Sequence, residues 1–288
     1  MVAQSAFVSY IVRLFCYEDP KQIDTDTNEK IDLLNILPGI SKKDDPYDNW
    51  KGRWFPSRSN EWTPPAKIAH KNSVTTYTVP MGVEDPNCDD GKTNLTVDWD
   101  KSTTSYECAG QKIQADLSLG VKKYHQLIPV YYRAMHACMS ETIEYKDKIP
   151  LYGTHRAIWP VYGEYVYVPK QRWLHSLEHG AVVMLYHPCA DSSQVEALRK
   201  LVKSCLWRHI ITPYNELDVD RPLALLTWGY RMSMSHVDKN EVKKFIRKRA
   251  LRGPEEKFDD GHFDDHLMEK ARIVSDAQDS QLCPESHM

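Results

Sequence analysis

Apolar residues follow regular patterns from about residue 116 onwards. GEYVYVP alternates and predicts a strand, and the continuous run AVVMLYHP predicts a buried strand. Behind an Asp191/Ser192 cap, DSSQVEALRKLVKSCLWRH has apolar residues at helical spacing and predicts a helix. Further segments predict a short extended piece (IITPYN), one long strand (PLALLTWGYRMSMS), an amphipathic helix ending at Gly253-Pro254 (NEVKKFIRKRAL) and a partly helical stretch (LSLGVKKYHQLIPVYYRAMHACM).

The order strand, helix, strand, strand, helix predicts one α+β domain, with helices packed mainly on one face of a mixed β-sheet. We expect residues 116–254 to form this core. Residues 1–115 are irregular and rich in Pro and Trp (Trp50, Trp54, Trp62), and we expect them to wrap around it. Residues 255–288 are a charged tail that we expect to be mobile.

Composition and motifs exclude several classes of function. The chain has 288 residues and a net charge of −3, so no nucleic-acid partner is expected. No apolar run reaches the roughly 18 residues of a membrane span, and the opening MVAQSAFVSYIVRLFC is a poor secretory signal because Arg13 interrupts it. Neither GxGxxG nor a P-loop occurs, which removes the commonest nucleotide sites.

The seven cysteines include no C-x-x-C pair, which removes zinc-finger and thioredoxin-like readings. Cys88 and Cys108 bracket a polar loop that contains a glycosylation sequon at Asn94. These features predict a Cys88–Cys108 disulfide, a glycan and a secreted or secretory-pathway protein. A second pair would join Cys138 to Cys189 or to Cys205. The alternative is a cytosolic protein with scattered buried thiols.

The stretch HSLEHG stands directly before the buried strand. On a helical turn His175 and His179 share a face, and Gly180 then suits the end of that turn. The letters also fit the H-x-x-E-H pattern of inverzincin peptidases, but the strand that follows leaves no room for their long helix. A metal site is the functional hypothesis. In the alternative, both imidazoles only bond the backbone near a turn.

The run IPLYGTHRAIWPVYGEYVYVPKQRWLHSLEHGAVVMLYHPC resembles the family known as domain of unknown function 3105. It is most similar to that family's animal branch, the tumour protein p53-inducible protein 13 type. The resemblance covers roughly residues 138–254, including RPLALLTWG and ALRGPE. It implies an architecture and site residues rather than a reaction, and a lumenal or extracellular domain on a membrane anchor. It also singles out His155 in GTHRAIW.

His155, His175 and His179 would give three imidazoles, the usual protein complement of a catalytic zinc or a copper site. Glu178 is a fourth ligand, an orienting group or a general base, and it ranks below the histidines because a helix turns it about 100° from His179. Weaker candidates are Met232, Met234 and His236, which share a strand face and favour copper(I), and His136 with Cys138. His187 reads as surface, and His262 and His266 lie in the acidic tail.

Three functions follow from these residues. The first is a secretory-pathway metalloprotein with a copper or zinc ion, in the sharpest form a copper-dependent oxidoreductase acting on a small molecule. The second is a zinc hydrolase with Glu178 as the base. The third is a non-catalytic lumenal or extracellular interaction domain, in which HSLEHG only shapes a turn. Neither a substrate nor an oligomeric state can be read from the residues.

Overall fold

The computed structural model of the chain describes residues 79, 81–255 and 259–285. Its regular elements are β1 (Lys122–His125), β2 (His136–Ala137), β3 (His155–Arg156), β4 (Gly163–Tyr165), α1 (Lys170–Glu178), β5 (Val182–Tyr186), α2 (Ser192–Cys205), β6 (His209–Pro213), β7 (Leu223–Thr227), β8 (Tyr230–Met234), α3 (Lys239–Arg249) and β9 (Leu267–Lys270). Single turns of 3-10 helix lie at Leu95–Val97 and Thr103–Ser105. The predicted Trp50, Trp54 and Trp62 patch lies outside the described residues.

Seven strands form one mixed sheet in the order β1-β8-β7-β5-β6-β4-β9. The central pairs β5–β6 and β4–β6 are parallel, and the remaining pairs are antiparallel. A second, two-stranded sheet pairs β2 with β3 in parallel. The α+β class with a mixed sheet is therefore confirmed.

The central strands bury side chains on both faces, because neighbouring residues of a strand point in opposite directions. Val183 and Leu185 pack in one hydrophobic cluster with Trp173 and Leu177 of α1. Val182 and Met184 belong to a second cluster, which contains the apolar sides of α2 and α3. Two of the three described helices thus cover one face of the sheet, and α1 covers the other.

The helix after β5 forms as its sequence predicts. Asp191 caps α2, and its carboxylate accepts the backbone N–H of Ser193 at 2.8 Å. The predicted apolar stripe faces the sheet, with Val195, Leu198, Val202 and Cys205 buried and Leu201 partly buried. Asp238 caps α3 in the same way.

Two sequence predictions were wrong. The segment predicted as one long strand is the hairpin β7–β8, and Gly229 in its turn has φ +73°, a conformation that side-chain-bearing residues avoid. The stretch predicted as partly helical contains only β1 and β2. There β1 pairs with β8 along the sheet edge, and Pro129 cannot donate a helical hydrogen bond.

The described part of the C-terminal segment is packed, contrary to the expectation of a mobile tail. Strand β9 pairs with β4, and Phe263 is buried in the cluster around α1. The buried Asp279 carboxylate accepts the backbone N–H groups of Trp207 and Arg208. Pairing with a sheet edge therefore outweighs the polar composition of this segment.

The disulfide pairing corrects the sequence prediction. The structure joins Cys88 to Cys138, Cys108 to Cys189 and Cys205 to Cys283. Cys88 and Cys108 therefore do not close their own loop, and each instead ties the irregular segment to a different part of the core. Sequence spacing cannot reveal such long-range partners. Among the helices that the structure describes, none is long and apolar enough to cross a bilayer.

Peptide mapping without reduction tests these connections. We expect three linked peptide pairs, 88 with 138, 108 with 189 and 205 with 283, because each pair lies within bonding distance in the fold. A linked peptide that joins Cys88 to Cys108 would contradict the structure.

Candidate metal centre

The two-stranded sheet β2–β3 places two histidines side by side. In its register His136 is the direct partner of His155, and the imidazole centroids lie 5.0 Å apart. His155 is fully buried and His136 is half-buried. The two-stranded sheet thus brings together two imidazoles from segments that lie 19 residues apart in the sequence.

Helix α1 supplies two more polar side chains. Trp173 and Leu177 anchor the helix in the core, and His175 with Glu178, one turn apart, lie together on another side. The helix ends in a Schellman motif, in which Gly180 N–H donates to the Leu177 carbonyl and Ala181 N–H to the Ser176 carbonyl. Gly180 has φ +81°, so the predicted glycine stop is confirmed.

His136, His155, His175 and Glu178 form one compact group. One ligand atom from each lies within 4.8 Å of those of all the others. With metal–ligand bonds of about 2.0–2.1 Å, two ligands of one ion lie at most about 4.2 Å apart. Small side-chain movements therefore suffice for all four to bind a single metal ion.

The backbone fixes which nitrogen of each imidazole faces the group. His155 Nδ1 lies 2.8 Å from the Gly153 carbonyl oxygen, and His175 Nδ1 lies 2.6 Å from that of Arg156. A carbonyl only accepts, so both Nδ1 atoms donate. The His136 ring bonds the backbone of Val79. The Nε2 atoms of all three are buried without a hydrogen-bond partner, the state in which imidazoles bind metal.

The contact between the Glu178 carboxylate and the His155 ring is unfavourable unless a cation lies between them. Its Oε2 atom lies 3.0 Å from His155 Nε2, yet the approach lacks hydrogen-bond geometry. In a neutral imidazole that nitrogen carries a lone pair, so two acceptors face each other. A proton on His155 relieves this contact, but it places a positive charge 4.4 Å from the His175 ring, between centroids. A metal ion bound by all four groups relieves the whole cluster.

Two buried ion pairs hold the ligand-bearing elements in place. Arg172 of α1 donates to both carboxylate oxygens of Asp89, at 2.6 and 2.8 Å. Arg156, which follows His155, donates to Asp98 at 2.6 and 2.9 Å. All four side chains are at most 2% exposed. The irregular segment before β1 therefore braces α1 and β3 from outside.

Burial keeps the imidazoles of His136 and His175 neutral at ordinary pH. The pKa of His136 is lowered to about 4, chiefly by burial and then by the neighbouring His155, while the negative charge of Glu178 opposes the shift. Burial and the three surrounding histidines hold the pKa of His175 well below its usual value. Neutral imidazole is the form that coordinates a metal.

The structure brings together some of the predicted ligands. His155 and His175 belong to the group, and so does Glu178, because it lies a single turn after His175. His179 is not part of the group, although its ring centroid lies 4.7 Å from that of His175. The His179 ring stands 4.7 Å from that of Trp159, and its Nδ1 is 4.0 Å from Glu255 Oε2.

The methionine candidates lie elsewhere. Met232 and Met234 are fully buried in the hydrophobic cluster that contains α2 and α3, whereas α1 packs in the other cluster. His236 Nδ1 lies 3.1 Å from the Asp116 carbonyl oxygen. This placement gives the copper(I) hypothesis no support at the histidine group.

Sequence reasoning gave too little weight to His136. In MHACM this residue has no neighbouring histidine and no helical spacing to mark it. Its signal is the register of a two-residue strand pair, which only the fold creates.

Comparison with known proteins bears on this same region. Residues 136–261 match the family model described as protein of unknown function (DUF3105). The match supports the DUF3105 family. All four residues of the group fall inside the matched segment. Comparison with curated proteins and with solved structures found no match.

The bracing of the ligand-bearing elements is testable through Asp89. We expect Asp89→Ala to lower the free energy of unfolding by about 3–5 kcal/mol, because it leaves the Arg172 guanidinium buried without its partner. Urea unfolding measures the change. Glu84→Ala is the control, since it removes an exposed pair with Lys92 and should change little. Equal effects of the two variants would contradict the bracing.

Stability of the metal-free protein should fall with falling pH. The pKa values of His136 and His175 are lower in the fold than in the unfolded chain, so below about pH 6.5 the unfolded state binds more protons. Each such histidine contributes at most about 1.4 kcal/mol per pH unit. Urea unfolding between pH 7 and 5 should show a steeper loss for wild type than for His175→Gln. Identical slopes would argue against buried neutral imidazoles.

Proposed function

We propose that the chain is a secretory-pathway metalloprotein that binds one transition-metal ion through His136, His155, His175 and Glu178. One observation carries the proposal: three buried Nε2 atoms without hydrogen-bond partners converge with a buried carboxylate. Unpartnered polar atoms in a protein interior cost free energy. A divalent ion removes that cost for all of them together. In the alternative of a non-catalytic domain, where HSLEHG only shapes a turn, nothing offsets the cost of these unpartnered atoms.

For the chemistry at this site we propose a redox reaction, in the sharpest form that of a copper-dependent oxidoreductase. Imidazole suits copper and zinc alike. Hydrolysis by zinc needs a metal-bound water and a base to activate it. Glu178 Oε2 lies 3.0 Å from His155 Nε2, a spacing that supports Glu178 as a further ligand of the ion rather than as a base. A bound copper ion would pass electrons from a reduced substrate to a second, oxidising substrate and needs no such base. The zinc hydrolase remains the alternative.

The compartment belongs to the same proposal. Three disulfides support an oxidising compartment, since such bonds are rare in the cytosol. Asn94 is exposed, so its sequon is accessible to glycosylation. Within the family, the run around HSLEHG supports the animal branch of the tumour protein p53-inducible protein 13 type.

Metal content tests the proposal. Protein purified from the secretory pathway without a histidine tag should contain about one transition-metal ion per chain by elemental analysis, as one four-ligand group implies. His175→Ala should lose that metal and keep its circular dichroism spectrum. His187→Ala, which changes a histidine outside the group, should retain the metal.

The nature of the ion separates the alternatives. A copper(II) electron paramagnetic resonance signal supports the oxidoreductase, and stoichiometric zinc supports the hydrolase. Wild-type protein that takes up no copper or zinc, even when either is added, would contradict the metalloprotein itself.

A further inference from the structure

A cleft of about 500 Å³ is lined by segments that adjoin the metal centre, and none of the four residues of the metal group lines it. Its lining comes from the loop 126–133 between β1 and β2, from residues 252–254 and from the turn of the β7–β8 hairpin. The residues that give the cleft its chemistry are Tyr132, Arg133, Trp228, Tyr230 and Arg252.

The cleft and the metal centre share structural elements. Gly253 in the cleft wall packs so closely on α1 that a Cβ atom there would lie 1.9 Å from the Glu178 carbonyl oxygen. On the other side, the Tyr132 ring stands 5.0 Å from that of Tyr152, next to Gly153, whose carbonyl orients His155. Burial and then the charge of Glu178 raise the pKa of Tyr132. The loop itself leads directly into His136. A molecule in the cleft therefore lies against the segments that hold the ligands.

Tyr132 and Trp228 supply partly exposed aromatic rings to the cleft. The Tyr230 ring is itself covered, by His125 with ring centroids 4.1 Å apart and by the Arg249 guanidinium at 3.6 Å. The loop adds Leu127 and Val130, two residues that are 83% and 95% exposed. Apolar side chains this exposed, beside a concave aromatic surface, favour an apolar ligand.

The charges of the cleft favour an anion. Its lining contains two arginines and no Asp or Glu. The Arg133 guanidinium donates to the Val130 and Tyr132 carbonyls and so shapes the loop. Arg252 also lines the cleft and is exposed, and among the described residues it forms no ion pair. Arginine is suited to binding a carboxylate through two parallel hydrogen bonds.

We infer that this cleft binds an organic carboxylate with an aromatic or branched apolar body whose charge pairs with Arg252, and that its binding affects the adjacent metal centre through the segments that the two share. The inference rests on the proposed function, because it treats the adjacent group as a working metal centre. Charge and aromatic surface together select this class over neutral molecules of similar shape.

Calorimetric titration with 3-phenylpropionate, using the full chain, tests the ligand class. We expect one molecule to bind per chain, and the uncharged 3-phenylpropanamide to bind about tenfold more weakly because it lacks the charge-assisted hydrogen bonds. Arg252→Gln should weaken binding of the acid about tenfold and leave the amide unchanged. Lys248→Gln, four residues earlier at an exposed position of α3, should leave both unchanged. Equal affinity for acid and amide, or no effect of Arg252→Gln, would overturn the inference.

Cobalt(II) separates this inference from the proposed function. Cobalt should bind wild type and show a visible absorption spectrum that changes when 3-phenylpropionate is added. If cobalt binds and the acid does not, the inference fails and the metal centre stands. If the acid binds and cobalt does not, the proposed function fails, and with it the effect of the acid on a metal centre. Binding to lipid vesicles or dimerisation through Val130, without acid binding, would assign the exposed loop to another partner and overturn the inference.

Discussion

Two backbone carbonyl groups, those of Gly153 and Arg156, determine what the histidine group can do. Each accepts the Nδ1 proton of an imidazole and so turns the Nε2 lone pair of that ring inward. Among the described residues, these buried nitrogens have no hydrogen-bond partner. The two carbonyls belong to the short segment 153–156, which also carries His155. The conformation of this segment therefore positions His155 through the backbone and His175 through a hydrogen bond. Gly153 contributes to that conformation with φ +145°.

The rest of the fold holds that segment against α1. The buried Asp89 and Asp98 carboxylates neutralise two guanidinium groups, one on the helix and one on β3. The Cys88–Cys138 disulfide joins the same irregular segment to the strand of His136. Such buried charge pairs stabilise little beyond their own desolvation cost, but they define geometry. The position of every ligand thus depends on residues far away in the sequence, and rigid support of this kind is what a metal site requires.

Local patterns predicted the parts of this arrangement that local physics determines. The apolar run of β5, the capped helix α2 and the glycine stop after α1 follow from periodicity and backbone preference, and each was confirmed. The hairpin at Gly229 was missed because β7 and β8 have similar composition, and their sequence therefore predicted one long strand. His136 and the disulfide partners were missed for a different reason. Their positions depend on strand register and long-range packing, which no local pattern encodes.

The central claim is that three imidazoles and one carboxylate bind a single ion. X-ray absorption spectroscopy of the metal-loaded protein observes those ligands directly. The account predicts a shell of about four nitrogen or oxygen atoms near 2.0–2.1 Å, with the multiple scattering of about three imidazole rings. A sulfur shell near 2.3 Å, or an ion surrounded by water without imidazole scattering, would contradict it.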